Sequence, residues 1–80
     1  MAQAKHNMNK PARYSNYFEI GQNAYEFLLE FGQCCVEGPE PVIHTRIVIS
    51  PFYTKSLLEL LEESVRGHEE AHGRIAVERE

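Results

Sequence analysis

The sequence predicts a small α+β protein of the order β-β-β-α, a two-layer fold in which an antiparallel meander is followed by one C-terminal helix. Two stretches alternate apolar and polar side chains with period two, which is typical of half-buried strands. A Ser-Pro pair at residues 50–51 then opens a stretch whose apolar side chains recur every three or four positions, as on one face of a helix. The predicted organisation is a disordered basic tail over residues 1–13, one domain over 14–73, and a frayed C-terminus or short extra strand over 74–80.

The three strands are predicted from their aromatic and β-branched content. The stretch 16–22 suits a short strand, and Gly-Gln-Asn at 21–23 suits a tight turn because Gly and Asn tolerate positive φ. Aromatic side chains on alternate positions of 25–31 predict the second strand, although its Glu and Leu content leaves a helix as the alternative. A Gly- and Pro-rich loop is predicted over 32–41, followed by a third strand over 42–49.

The helix is predicted from its first residues. Ser50 can accept a hydrogen bond from a free N–H of the first turn, and Pro51 loses nothing there by lacking its own N–H. The helix is expected to run from Pro51 to about Ala71, with Gly73 as its stop. Its apolar stripe comprises Leu57, Leu58, Leu60, Leu61, Val65 and His68.

A single helix laid on a three-stranded sheet covers only part of that sheet, so apolar surface is expected to remain open. Such patches usually belong to interfaces, and symmetric self-association is the commonest way to cover them. We therefore predict a homodimer or higher homo-oligomer. The predicted interface residues are Tyr17, Leu28, Val48, Leu57, Leu58, Leu61 and Val65.

Charge excludes some partners. The chain has 80 residues and a net charge of −4, with 42% hydrophobic and 25% charged residues, which is an ordinary globular composition. Residues 1–13 carry +3, whereas residues 14–80 carry −7, and a body this acidic repels nucleic acid. No apolar run has the length of a membrane span. The expected partners are further copies of the chain and, in addition, another protein.

The two cysteines, Cys34 and Cys35, are adjacent. Neighbouring cysteines rarely bridge because the resulting ring is strained, so two free thiols are predicted. Free thiols are typical of a reducing compartment, which predicts a cytoplasmic location. No second cysteine cluster is present to build a structural zinc site.

Two further patterns are candidate ligand sites. His44, Arg46, Lys55 and the N–H groups after Ser50 could hold an anion, since a helix N-terminus attracts negative charge. The alternative is that Arg46 pairs with Glu26 or Glu30 across the sheet.

His68-Glu69-Glu70-Ala71-His72 matches the spacing of a zinc-hydrolase motif literally. Such an enzyme also needs a third ligand and a closed cleft, and this chain is too short to build the cleft. No catalytic residue, metal or cofactor is therefore predicted.

The runs NYFEIGQNAYEFLLEFGQ and HTRIVISPFYTKSLLELLEES resemble an uncharacterised family of short bacterial and archaeal proteins, a domain of unknown function. The resemblance covers roughly residues 16–72, and the Ser-Pro junction is its most specific part. It implies a small α+β module that is a complete protein, and it transfers no catalytic residue.

Three functions follow in order of preference. The first is a non-enzymatic module that assembles with itself and binds another protein. The second is a chaperone or adaptor that captures an extended peptide by strand addition. The third is a metal- or anion-binding protein that uses His68 and His72 or Arg46.

Overall fold

The computed structural model describes residues 10–35 and 38–77. Over these ranges the chain forms strands β1 (Tyr17–Gln22), β2 (Phe27–Gln33) and β3 (Val42–Ile49), followed by helix α1 (Pro51–His72). The strands make one antiparallel sheet in the order β1-β2-β3. The predicted α+β meander with a C-terminal helix is confirmed. Most of the predicted basic tail, residues 1–9, lies outside the described residues.

The first hairpin turns one or two residues later than predicted. β1 continues through Gly21 and Gln22, and the turn spans Asn23–Glu26, where the Asn23 N–H donates to the Glu26 carbonyl at 3.0 Å. The Asn23 side-chain oxygen also accepts the N–H groups of Tyr25 at 2.8 Å and Glu26 at 3.0 Å. Asn therefore organises this turn through its side chain, as in an Asx turn, and Tyr25 falls in the turn instead of in β2.

β2 extends further than predicted, through Gly32 and Gln33, because an irregularity between Phe31 and Gly32 lets pairing with β3 resume beyond it. Gly32 is buried here, and a Cβ on it would stand 2.2 Å from the Val42 carbonyl oxygen. On the other side of Gly32, the Ser15 hydroxyl accepts the Gly32 N–H at 3.1 Å and donates to the Gly32 carbonyl at 2.9 Å.

Local signals define both ends of α1, as predicted. The Ser50 side chain accepts the Tyr53 N–H at 3.2 Å, and its carbonyl accepts the Thr54 N–H at 2.9 Å. At the other end Gly73 has φ 93°, and its N–H donates to the Glu69 carbonyl at 2.8 Å. Residues 74–77, which are described, form neither helix nor strand, so the alternative fourth strand is not found over these residues, and the fraying stays a prediction.

The predicted packing of α1 on its own sheet is not found. Along Pro51–His72, all of it described, no residue is buried. Extensive contacts between described elements join only β1 with β2 and β2 with β3. Within residues 10–35 and 38–77, Leu29 at 8% exposure is the sole buried hydrophobic side chain. The sheet and helix therefore do not share a core within one chain.

Candidate interaction surface

One face of the sheet is almost wholly apolar. Directly paired residues such as Ile20 with Leu29, and Leu29 with Ile47, lie on the same face of adjacent strands. The apolar sheet face defined by this register comprises Phe18, Ile20, Phe27, Leu29, Phe31, Ile47 and Ile49. Its Phe18 and Phe31 rings meet edge to face with centroids 5.8 Å apart. Phe18, Ile20 and Ile47 are nevertheless 59%, 66% and 43% exposed.

The opposite face mixes apolar and charged side chains. It carries the predicted interface residues Tyr17, Leu28 and Val48, which share this face as expected. Tyr17 and Leu28 are half-buried, whereas Val48 is exposed. Glu30 and Arg46 lie between them, so this face offers a smaller continuous apolar area than the other.

Arg46 forms an ion pair across the sheet with Glu30. Its Nε donates to the Glu30 carboxylate at 2.7 Å, which confirms one of the two pairings expected for this arginine. The Ser50 hydroxyl, a second member of the candidate anion site, is engaged by the Tyr53 N–H. Arg46 and Ser50 thus have structural partners, and anion binding with His44 and Lys55 stays a prediction.

Tyr17 and Glu19 interact on the same face as Arg46. The Tyr17 hydroxyl donates a hydrogen bond to the Glu19 carboxylate. This hydrogen bond raises the pKa of the Tyr17 phenol above its ordinary value, and desolvation and the negative charges of Glu19 and Glu30 act in the same direction.

The apolar stripe of α1 is open along its length. Its members Leu57, Leu58, Leu61 and Val65 are between 39% and 56% exposed. A shallow groove runs along this side of the helix, lined by Leu58, Leu61, Glu62, Val65, Arg66 and Glu69. All four predicted helix positions of the interface therefore lie on one accessible face, the helix stripe.

His68 and His72 lie one turn apart, with ring centroids separated by 4.8 Å. In the described part of the chain, no three His, Cys or Glu side chains come together in a way that could hold a metal ion. Among these residues, no third ligand therefore lies near His68 and His72. The match to the zinc-hydrolase spacing assigns no reaction to the chain.

The two cysteines are not free thiols. The sulfur atoms of Cys34 and Cys35 are joined as a vicinal disulfide directly after β2. The expectation of two thiols is wrong, and the inference of a reducing compartment, which depended on those thiols, loses its basis. Over the described ranges, no helix combines the length and apolarity that a membrane crossing needs.

Comparison with known proteins adds one finding to this geometry. A family model described as "Protein of unknown function (DUF3467)" matches residues 2–77. The chain belongs to this family. Membership of the DUF3467 family confirms the resemblance to an uncharacterised group of proteins and assigns no activity. Neither the curated proteins nor the solved structures provide a match.

The apolar sheet face is the candidate interaction surface that the sequence reasoning missed. It was expected to be covered by α1, so only the opposite face was assigned to an interface. The signal that could have identified it is the linker, because Ser50 is the single residue between β3 and α1. A linker this short restricts where the helix can lie.

Proposed function

We propose that this chain is a non-enzymatic protein-interaction module whose first partner is another copy of itself. The observation that carries the proposal is the absence of a shared core. Among residues 10–35 and 38–77, Leu29 alone of the hydrophobic side chains is buried, while the apolar sheet face and the helix stripe stand open.

The energetics favour covering these faces. Burying one Leu, Ile or Phe side chain contributes about 1.5–3 kcal/mol, so each open face holds several kcal/mol of unused stabilisation. A chain of 80 residues also has little core from which to offset its conformational entropy. Association with identical copies can bury these apolar faces, and a closed symmetric assembly leaves none of the self-complementary surface free for further copies.

Light scattering on a sizing column tests the proposal over a hundredfold range of protein concentration. We expect a mass of at least twice the 9.2 kDa of one chain across that range. A mass of one chain at every concentration would overturn self-assembly.

Peptide capture by strand addition is the second candidate function. β1 and β3 are the edges of the described sheet, and Phe18 and Ile20 on β1 are exposed. An extended peptide could pair with such an edge and bury these side chains. A hydrophobic dye such as ANS separates the two functions. An assembled protein that gives little dye fluorescence favours self-assembly alone, whereas strong fluorescence from the assembled protein favours peptide capture.

A further inference from the structure

The junction between β3 and α1 restricts how the two apolar faces can be covered. Only Ser50 separates Ile49 from Pro51. The two Cα–Cα steps from Ile49 to Pro51 span at most about 7 Å, whereas packed layers lie about 10 Å apart. A linker this short leaves little length for α1 to turn back onto its own sheet, and in the structure no residue of α1 is buried and no extensive contact joins α1 to a strand. Ser50, with φ −67° and ψ 158°, still has extended backbone, and the helix begins at the next residue.

The two apolar faces that do not meet within one chain match each other. The apolar sheet face carries no charged side chain at any of its paired positions, and Leu57, Leu58, Leu61 and Val65 form an equally uncharged stripe. With 22 residues, α1 is about 33 Å long, and the eight residues of β3 extend about 26 Å. The three strand axes together span about 10 Å, close to the diameter of one helix.

We propose that two copies of this chain exchange their helices, so that α1 of each copy covers the apolar sheet face of the other. This inference rests on the proposed self-assembly and specifies its geometry. A two-fold axis makes both contacts identical, and each chain contributes one sheet and one helix to two equivalent cores. The second copy is the partner because every chain carries both an apolar sheet face and a helix stripe. Two copies can therefore cover all four of these surfaces with each other.

The area available agrees with a stable dimer. The side chains that contribute are Phe18, Ile20, Ile47, Leu57, Leu58, Leu61 and Val65, which are between 39% and 66% exposed. Their complete burial removes on the order of 700 Å² per chain, or about 1,400 Å² for the pair, within the range of about 1,200–2,000 Å² of stable interfaces.

Disulfide trapping between two marked chains tests the exchange. In a Cys34→Ser, Cys35→Ser background, one chain carries Ile20→Cys on the sheet, and the other carries Leu58→Cys and an affinity tag. The chains are mixed in equal amounts, allowed to exchange and oxidised. We expect the mixed sheet-to-helix species to exceed both self-linked species on a non-reducing gel. Replacing Leu58→Cys by Glu63→Cys, on the polar side of α1, is expected to abolish that excess.

The remaining outcomes separate this inference from self-assembly itself. Predominant linkage of Leu58→Cys to its own copy would show that helices pair with each other, which overturns the exchange but keeps self-assembly. Linkage within one chain carrying both cysteines would show that α1 returns to its own sheet. A single-chain mass on the sizing column would overturn both proposals. If Ile20→Cys itself prevents assembly, Phe18→Cys on the same face takes its place.

Discussion

Gly32 and Val42 lie so close across the β2–β3 pair that the place of a Gly32 Cβ would be 2.2 Å from the Val42 carbonyl oxygen. The obstacle is backbone, so it cannot move aside as a flexible side chain would. This contact follows directly on the irregularity between Phe31 and Gly32, where β2 and β3 shift their register. Glycine is thus required for the two strands to remain paired beyond that point.

Gly32→Ala is expected to lower the free energy of unfolding by about 2 kcal/mol, since the strands must separate locally to admit the methyl group. Gly21→Ala is the matched control, because a Cβ on Gly21 meets nothing within 4 Å. The control is expected to be neutral or slightly stabilising, as alanine restricts the unfolded chain. Urea unfolding followed by circular dichroism at equal protein concentration measures both. Equal stability of the two variants would refute this account of Gly32.

Ser50→Ala is expected to reduce stability by about 1 kcal/mol, because it removes the side-chain acceptor for the Tyr53 N–H at the start of α1. Ser56→Ala, in the interior of the same helix, is the control and is expected to be neutral or stabilising, since alanine has the higher helix propensity. Thermal unfolding of the two variants checks the difference. A smaller loss for Ser50→Ala than for Ser56→Ala would contradict the capping role.

Leu61→Glu is expected to weaken assembly by tenfold or more, because it places a charge in the middle of the helix stripe. A buried carboxylate without a partner is strongly unfavourable. Glu63→Gln changes the polar side of α1 and is expected to leave assembly unchanged. Sedimentation over a series of concentrations gives the dissociation constant of each variant. Unchanged association of Leu61→Glu would show that the stripe is not part of the interface.

Tyr17 is expected to lose its phenol proton at a higher pH than an ordinary tyrosine. Its hydroxyl donates a hydrogen bond to the Glu19 carboxylate, and this raises the pKa of the phenol. Glu19→Gln is expected to lower that pKa toward the ordinary value. Any stability that this contact provides is present below the ordinary phenol pKa and is lost as the pH rises through the raised pKa of the folded protein. Ultraviolet absorbance during an alkaline titration follows the phenolate, and Tyr17→Phe identifies its contribution. An identical titration of the parent and Glu19→Gln would rule out the coupling.

Local signals predicted the elements well. The ends of α1 follow from Ser50, Pro51 and Gly73, whose effects on the backbone need no information from distant residues. The order of three strands followed from periodicity for the same reason. The first turn was misplaced because the Asn23 side chain accepts two N–H groups and so fixes the turn at residues 23–26. From the sequence alone, Gly21 was an equally plausible place for the turn to begin.

Tertiary relationships were harder to predict. Periodicity showed that α1 and the sheet each have an apolar face, but it does not show whether those faces belong to one core. The same limit applies to the sheet: Tyr17, Leu28 and Val48 were correctly grouped, yet the larger apolar face lies opposite them. The Cys34–Cys35 bridge was missed because the expectation rested on the rarity of such bridges and not on a feature of this chain.

A change in the length of the β3–α1 linker is expected to change the quaternary structure, whether it arises by evolution or by protein engineering. If Ser50 alone keeps the helix away from its own sheet, a few flexible residues inserted after it would let the same two faces close within a single molecule. One short insertion would then convert an obligate pair into an autonomous monomer with an unchanged core. Relatives that differ only in this linker could thus differ in whether their folding requires an encounter between two chains, and so depends on their concentration.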